Sequence, residues 1–118
     1  MSLPQSQFHA WMDRIRDFAA ARDWEQFHSL RNLSAALSVE ASELLELFQW
    51  HRDGDDARYA QTDEGARRVR EEVADVLIYL LRFADVAGID LAAALDEKMR
   101  LNEAKYPADP TGRGPRGL

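Results

Sequence analysis

Apolar residues recur at steps of three and four through most of this chain, the spacing of a helix that buries one face. The pattern predicts a first helix over 4–22 and a second that starts at Ser29 or Asn32 and runs to about His51. In the second helix one stripe is formed by Leu33, Leu37, Glu40, Leu44, Leu47 and Phe48. A carboxylate inside an otherwise apolar stripe is unusual, so Glu40 is the first candidate for a functional residue in this chain.

The segments between and after these helices carry turn and capping residues. Asp23 is the expected cap of a short aromatic-rich connection before the second helix. The polar stretch after His51 predicts a loop with a short helical turn around 57–60. A third helix is predicted from about residue 64 to residue 87, with Thr62 or Asp63 as its cap and Gly88 at its end.

The third helix is apolar on nearly all sides from Val73 onward, which indicates burial against more neighbours than one small subunit supplies. A fourth helix is predicted from Leu91 to about Lys105, with Asp90 as its cap, and Pro107 stops it. No stretch shows the alternation typical of strands. The fold class is therefore predicted to be all-α, a single four-helix-bundle domain over residues 1–106. The Pro/Gly-rich tail, residues 107–118, is expected to be disordered.

Composition narrows the class of protein. A chain of 118 residues with 46% apolar residues is expected to form one globular domain. It has no cysteine, which excludes disulfides, thiolate metal sites and cysteine nucleophiles. No apolar run is long enough for a membrane span, and the N-terminus lacks the apolar core of a signal peptide, so a cytoplasmic location is expected. The formal charge of −6 argues against binding to a nucleic-acid polymer.

Two acidic pairs, each spaced i, i+3 on a predicted helix, are the chemically informative feature. Glu40 and Glu43 lie on the second helix, and Glu72 and Asp75 lie on the third, where valines and leucines surround Asp75. Antiparallel packing of the two helices would bring the four carboxylates together. An all-oxygen site of this kind suits Mg²⁺ best and Mn²⁺ second. Glu43 is the predicted general base, although Glu40 and Glu72 remain alternatives.

The alternative interpretation of the acidic pairs is that ordinary ion pairs neutralise them, with partners drawn from Arg31, Arg67 and Arg70.

The fourth helix carries a basic stripe. Lys98, Asn102 and Lys105 lie at steps of four and three, followed by Tyr106. Cations and an amide on one face suit phosphate oxygens, although a solvated helix face gives the same pattern. Carboxylates facing such a stripe indicate a nucleoside triphosphate as substrate, bound without a P-loop, whose motif is absent.

The segments DWEQFHSLRNLSAALSVEASELLELFQW, EEVADVLIYLLRFAD and KMRLNEAKYP, together with the E-x-x-E and E-x-x-D pairs, resemble the MazG-type all-α nucleoside triphosphate pyrophosphohydrolases. The dCTP pyrophosphatase branch is the most similar, over roughly Phe18 to Pro107. The resemblance implies Mg²⁺-dependent release of pyrophosphate from dCTP or a modified dCTP, with a role in nucleotide pool sanitation. It also implies a homodimer or a homotetramer, a dimer of dimers.

By motif position, the resemblance assigns Glu40, Glu43, Glu72 and Asp75 to the metal. It assigns the substrate to Trp24, Arg31, Trp50, Tyr79, Lys98, Asn102 and Lys105. One position departs from the pattern, because Ile15 stands where dCTP-preferring members carry a histidine that packs on the base. Ile15 cannot form a hydrogen bond, so the pocket is expected to be broader unless His9 or His28 substitutes.

Two rival functions follow from the same residues. A di-iron carboxylate bundle needs two Glu-x-x-His motifs, and this chain has one, at Glu25 and His28. A non-catalytic helical oligomerisation or binding module would explain the apolar third helix but gives no reason for Asp75 among apolar residues.

Overall fold

The computed structural model describes residues 5–109, and its regular structure there is entirely helical. The helices are α1 (Gln5–Ala21), α2 (Leu30–Glu46), α3 (Asp55–Gln61), α4 (Asp63–Ala87) and α5 (Leu91–Lys105). One turn of 3-10 helix, Glu25–Phe27, joins α1 to α2. No strand occurs within this range, so the all-α prediction is confirmed. Most of the tail expected to be disordered, from residue 110 onward, lies outside the described residues.

Three helices begin with a side-chain cap. Ser29, Thr62 and Asp90 each accept a hydrogen bond from a backbone N–H three residues further along the chain. Such caps satisfy amide groups that the first helical turn leaves without a partner. Gly88 ends α4 in the left-handed conformation, with φ of 69°, where a side chain would be strained. The predicted roles of Thr62, Asp90 and Gly88 are confirmed, and Ser29 rather than Asn32 starts α2.

The predicted end of α2 is wrong. The helix ends at Glu46, and residues 47–50 form hydrogen-bonded turns. The ring of Phe48 packs edge-on against His51 and Tyr59, with centroids 5.8 and 6.1 Å apart. This aromatic contact ties the turns to α3, a long-range interaction that helical spacing does not reveal. Trp50 therefore lies beyond the end of α2, and it is 86% exposed.

Asp23 does not cap the connection as predicted. The 3-10 turn starts from Trp24, which provides no side-chain cap. Asp23 instead takes a left-handed φ of 57°, and its carboxylate accepts a hydrogen bond from Gln26 Nε2 at 3.0 Å. The residue closes the turn through side-chain contacts, as short Asp side chains do in this conformation.

Helix α4 is the central element of the molecule, with α2 along one side, α1 along another and α3 folded against it. Helices α2 and α4 are antiparallel, because His28 just before α2 bonds Arg82 late in α4 while Glu40 meets Glu72 earlier in α4. The core between α1 and α4 is a small cluster of side chains, formed by Phe8, Met12, Leu81 and Ala84. The core is small because one chain offers few apolar faces to pack against.

The four predicted helices do not close into a bundle within residues 5–109, and a fifth helix, α3, lies where only a short helical turn was predicted. Helix α5 reaches the core through its first turn, where Leu91 and Ala92 pack against the cluster. Beyond that turn its apolar residues are 51–56% exposed, namely Leu95, Met99 and Leu101. Five large apolar residues of α4 are also exposed, namely Val73, Leu77, Ile78, Leu80 and Val86. No helix in the described residues is both long and apolar enough to cross a membrane.

Candidate functional site

Three carboxylates converge where α2 crosses the first half of α4. Glu40 and Glu43 lie one turn apart on α2, and Glu72 faces them from α4. Each contributes an oxygen atom that lies within 4.8 Å of the others, and all three side chains are half-buried. The i, i+3 spacing puts the first two on one helix face, and antiparallel packing supplies the third.

No cation of the described chain neutralises this carboxylate cluster. One oxygen of Glu40 and one of Glu72 are buried without a hydrogen-bond partner. Arg67 bonds the neighbouring Glu71 instead, at 3.3 Å, and neither Arg31 nor Arg70 forms an ion pair within residues 5–109. The ordinary ion pairs considered from the sequence are therefore not formed.

The missing counter-charge changes the titration of the cluster. Burial, followed by the adjacent carboxylate of Glu43, raises the pKa of Glu40 to about 7. Burial also raises the pKa of Glu72, and the charge of Glu43 adds to that shift. Asp75 lies outside the convergent trio, but its charge contributes to both shifts. A half-buried group of like charges is stabilised when a cation enters, so the donor set fits a hard divalent metal ion.

A groove of about 520 Å³ opens beside the carboxylates. Its walls include Glu43 and Glu72 of the carboxylate cluster, together with Trp50, Tyr59 and Arg68. Sequence reasoning missed Tyr59 and Arg68. The signal for Arg68 was its position four residues before Glu72, one turn away on the same helix face.

The wall formed by Tyr59 depends on a close approach between α3 and α4. A Cβ atom at Gly65 would lie 1.9 Å from the carbonyl oxygen of Tyr59, so only glycine fits there. The same carbonyl accepts a hydrogen bond from the hydroxyl of Thr62 at 2.8 Å. Glycine at the start of α4 thus allows α3 to fold back and to place Tyr59 beside the carboxylates.

The other predicted substrate residues do not line this groove. Trp24 packs edge-on against Phe18, with ring centroids 5.6 Å apart, near the connection between α1 and α2. The remaining five are spread over three helices, with Arg31 on α2, Tyr79 on α4, and Lys98, Asn102 and Lys105 on α5. The structure therefore brings Glu40, Glu43, Glu72 and Trp50 together, with Asp75 nearby, and leaves the rest apart.

A second polar cluster lies two to three turns further along α4, and sequence reasoning missed it. Arg82 is buried, and its Nε–H donates to Nδ1 of His28 at 3.0 Å. Asp85 accepts hydrogen bonds from Arg16 at both oxygens, at 2.7 and 2.9 Å, and lies 3.4 Å from Arg82. Burial and the charge of Arg82 lower the pKa of His28. The signal was the lone Arg82 in an apolar run.

Ile15, the position that departs from the family pattern, lies in a separate apolar groove between α1 and α4. The groove has a volume of about 250 Å³, and Trp11, Phe18 and Ile78 line it with Ile15. Arg14 supplies its polar edge. His28, named as a possible substitute, is held by Arg82, whose Nε–H donates to its Nδ1, so the donor of the neutral imidazole is Nε2.

Similarity to known proteins extends over the residues that form this site. Human dCTP pyrophosphatase 1 is 47% identical over 92 residues, which are 78% of this chain and 54% of that protein. The protein of the same name from Bos taurus is 45% identical over 91 residues, with shares of 77% and 54%. The chain thus spans about half the length of these curated relatives.

A solved structure and a family model agree with these relatives. A pyrophosphatase from Archaeoglobus fulgidus has a TM-score of 0.79 to this fold and 39% sequence identity, over 92% of this chain and 99% of that one. The model of the MazG-like family matches residues 35–113, which include all four predicted metal residues. The chain belongs to the MazG-like family.

Proposed function

We propose that this chain hydrolyses a nucleoside triphosphate to a nucleoside monophosphate and pyrophosphate. Water adds across the bond between the α- and β-phosphates, so one fragment gains OH and the other gains H. The observation that carries this proposal is the group of three converging carboxylates without a counter-charge. The names of the relatives, dCTP pyrophosphatase 1 and a pyrophosphatase, support the same reaction.

The donor set fits Mg²⁺, with Mn²⁺ as a second choice, because every donor is a carboxylate oxygen. Glu40, Glu43 and Glu72 would hold the ion, and Asp75 completes the predicted set. When bound, the ion supplies positive charge that neutralises phosphate oxygens and lowers the pKa of a water molecule. Glu43 and Glu72 both belong to the carboxylate cluster and line the groove. Of these two, we propose Glu43 as the group that accepts the proton of the attacking water.

A non-catalytic oligomerisation module is the alternative function, and the exposed apolar residues are compatible with both the module and the enzyme. The carboxylate cluster distinguishes between these two functions. A module that only binds another helix gains nothing from half-buried like charges, which cost free energy in the folded state. We therefore favour the enzyme. Hydrolysis of nucleoside triphosphates suits a role in nucleotide pool sanitation.

The preferred base is proposed to be cytosine or a modified cytosine, with relaxed selectivity. The names of the relatives support dCTP. Ile15 supports relaxed base selectivity, because the groove around it is apolar and its side chain cannot form a hydrogen bond. An apolar pocket discriminates weakly between similar bases, whereas an unpaired polar group rejects the wrong one strongly.

A homodimer or homotetramer is proposed as the working form. Large apolar residues of α1, α4 and α5 are exposed in one chain, and such surfaces usually mark interfaces. Lys98 and Lys105 are exposed on α5 and do not line the carboxylate groove of their own chain. Their predicted phosphate contacts therefore depend on assembly.

The experiment that tests the reaction is pyrophosphate release from a panel of ribo- and deoxynucleoside triphosphates, with Mg²⁺, with Mn²⁺ and with a chelator. We expect release from dCTP and 5-substituted dCTP that the chelator abolishes. Release from several bases would keep the reaction and reject narrow selectivity. No release from any nucleotide with either metal would support the oligomerisation module.

A further inference from the structure

The groove beside the carboxylates contains a cation that the family pattern does not assign. Its described walls carry the carboxylates of Glu43, Glu46 and Glu72, and Arg68 is the cation among them. An arginine in a groove with this many carboxylates would ordinarily form a close ion pair with one of them.

Arg68 does not form that pair. It lies four residues before Glu72, a spacing at which side chains of one helix are neighbours about 5–6 Å apart at Cβ. Nevertheless, one oxygen of Glu72 is buried without a partner. The guanidinium of Arg68 lies 4.0 Å from Glu64, at the outer limit of an ion pair, and both side chains are largely exposed. A pair of this kind contributes little stability, so it does not fix the guanidinium in place.

Arg67 provides the contrast on the same helix. Its guanidinium reaches both oxygens of Glu71, at 3.3 and 3.4 Å. Arg67 does not line the groove. Two adjacent arginines thus differ, one engaged on the outer surface of α4 and one weakly held beside the proposed metal residues.

We propose that Arg68 binds a phosphate oxygen of the triphosphate, on the side of the carboxylate cluster that carries Trp50 and Tyr59. This inference rests on the proposed function. A divalent ion leaves part of the triphosphate charge unneutralised, and the planar guanidinium can donate two parallel hydrogen bonds to phosphate oxygens. The same contact would hold a phosphate that leaves as part of pyrophosphate, so Arg68 is expected to bind that product as well. Arg68 is therefore a substrate-binding residue, separate from the metal residues and from the basic stripe of α5.

The test compares Arg68→Ala, Arg68→Lys and the matched control Arg67→Ala in two measurements. The first is steady-state kinetics with the triphosphate that the wild type turns over best. The second is calorimetric binding of inorganic pyrophosphate in the presence of Mg²⁺. Arg68→Ala is expected to raise KM and to weaken pyrophosphate binding about tenfold, the loss typical of a charge-assisted hydrogen bond, with kcat changed less. Arg68→Lys is expected to recover part of the lost affinity, because lysine keeps the positive charge but lacks the planar group that donates two parallel hydrogen bonds.

The control and the Mg²⁺ dependence decide between this role and a general charge effect. Arg67→Ala is expected to stay within about twofold of wild type, since Arg67 is engaged by Glu71 at the exposed surface. The Mg²⁺ concentration for half-maximal rate should be the same in all variants. Equal losses in both alanine variants, or pyrophosphate binding unchanged in Arg68→Ala, would overturn the inference. An inactive wild type would overturn the proposed function instead, and the calorimetry would still report on Arg68.

Discussion

Helix α4 carries two polar clusters that differ in how their charges are satisfied. The carboxylate cluster joins Glu72 to two acidic residues of α2, and no cation of the described residues pairs with it. The second cluster joins Arg82 to His28 and Asp85, and each of these side chains has a hydrogen-bond partner. Both clusters are at least partly buried. A buried charge is costly unless it is paired, so the first cluster requires an explanation that the second does not.

The difference separates function from architecture. In the second cluster, the ion pair between Arg16 and Asp85 joins α1 to α4, and the hydrogen bond from Arg82 to the neutral imidazole of His28 joins α4 to the start of α2. In the first, like charges oppose the packing of α2 on α4 unless a cation is bound. Perturbed pKa values are common at functional sites, and the pKa of Glu40 is raised to about 7. Changes to the first cluster should therefore affect activity, and changes to the second should affect stability.

The largest expected effect is on turnover. Glu72→Gln should reduce kcat/KM by about a hundredfold or more, because a metal-holding carboxylate is lost from a preorganised electrostatic site. The free energy of unfolding without metal should not fall, since one of three repelling charges is removed. Glu71→Gln is the matched control and should retain activity, because Glu71 is exposed. Pyrophosphate release and urea denaturation measure the two quantities. Full activity of Glu72→Gln would contradict the metal assignment.

The next effect concerns the second cluster. Asp85→Ala should lower the free energy of unfolding by about 2–3 kcal/mol, because it leaves the buried guanidinium of Arg82 with His28 alone. Activity at low temperature should remain within a few-fold of wild type. Asp13→Ala is the control, since Asp13 is exposed and holds Arg16 at 3.2 Å on the surface. Urea denaturation provides the measurement. A large loss of turnover with unchanged stability would show that this cluster belongs to the active site.

A smaller effect is expected from metal binding to the wild type. Mg²⁺ at ten times its dissociation constant should stabilise the protein by about 1.4 kcal/mol, if it binds the folded state alone. Thermal denaturation with and without Mg²⁺ tests this. Asp85→Ala should keep the increment, and Glu72→Gln should lose most of it. An equal increment in all three proteins would place the ion elsewhere.

The smallest effect is a pair of pH dependences with opposite signs, measured without metal. Glu40 binds its proton more tightly in the folded state, so its contribution to stability falls as the pH rises from about 4.5 to about 7. The pKa of His28 is lowered in the folded state, so its contribution is present above pH 6.5 and is lost as the pH falls through the lowered pKa.

Urea denaturation at several pH values resolves the two contributions. The stability of Glu40→Gln relative to wild type should increase with pH, by about 1 kcal/mol between pH 5 and 8 once solvent screening is included. The stability of wild type relative to His28→Asn should also increase with pH, because the neutral imidazole accepts from Arg82. A pH-independent difference for Glu40→Gln would mean that Glu40 keeps an ordinary pKa.

Local patterns predicted the helices well. Thr62, Asp90 and Gly88 marked helix ends correctly, because capping depends on residues within a few positions along the chain. The end of α2 was predicted too late because apolar residues at helical spacing continue past Glu46, whereas Phe48 packs against Tyr59 of another helix. Boundaries that depend on distant side chains are not encoded in local spacing.

The carboxylate cluster was predictable because its two residues on α2 lie only three positions apart along the chain. The i, i+3 spacing of Glu40 and Glu43 places both on one face of α2, and the expected antiparallel packing of the next long helix predicted that Glu72 would lie near them. The absence of a neutralising arginine was not predictable. Arg67 and Arg70 were equally available in the sequence, and the direction of each side chain depends on the tertiary packing of α4.

The sequence by itself determined the helical class, most helix ends, the acidic pairs and the resemblance to MazG-type proteins, because these depend on short-range spacing and side-chain chemistry. Tertiary structure decided which carboxylates converge, that Arg68 and Tyr59 share one groove with Glu43 and Glu72, and that Arg82 is satisfied by His28 and Asp85. It also decided that α5 leaves Leu95, Met99 and Leu101 exposed. These outcomes depend on the packing of separate helices, which is a property of the whole folded chain and not of any one segment.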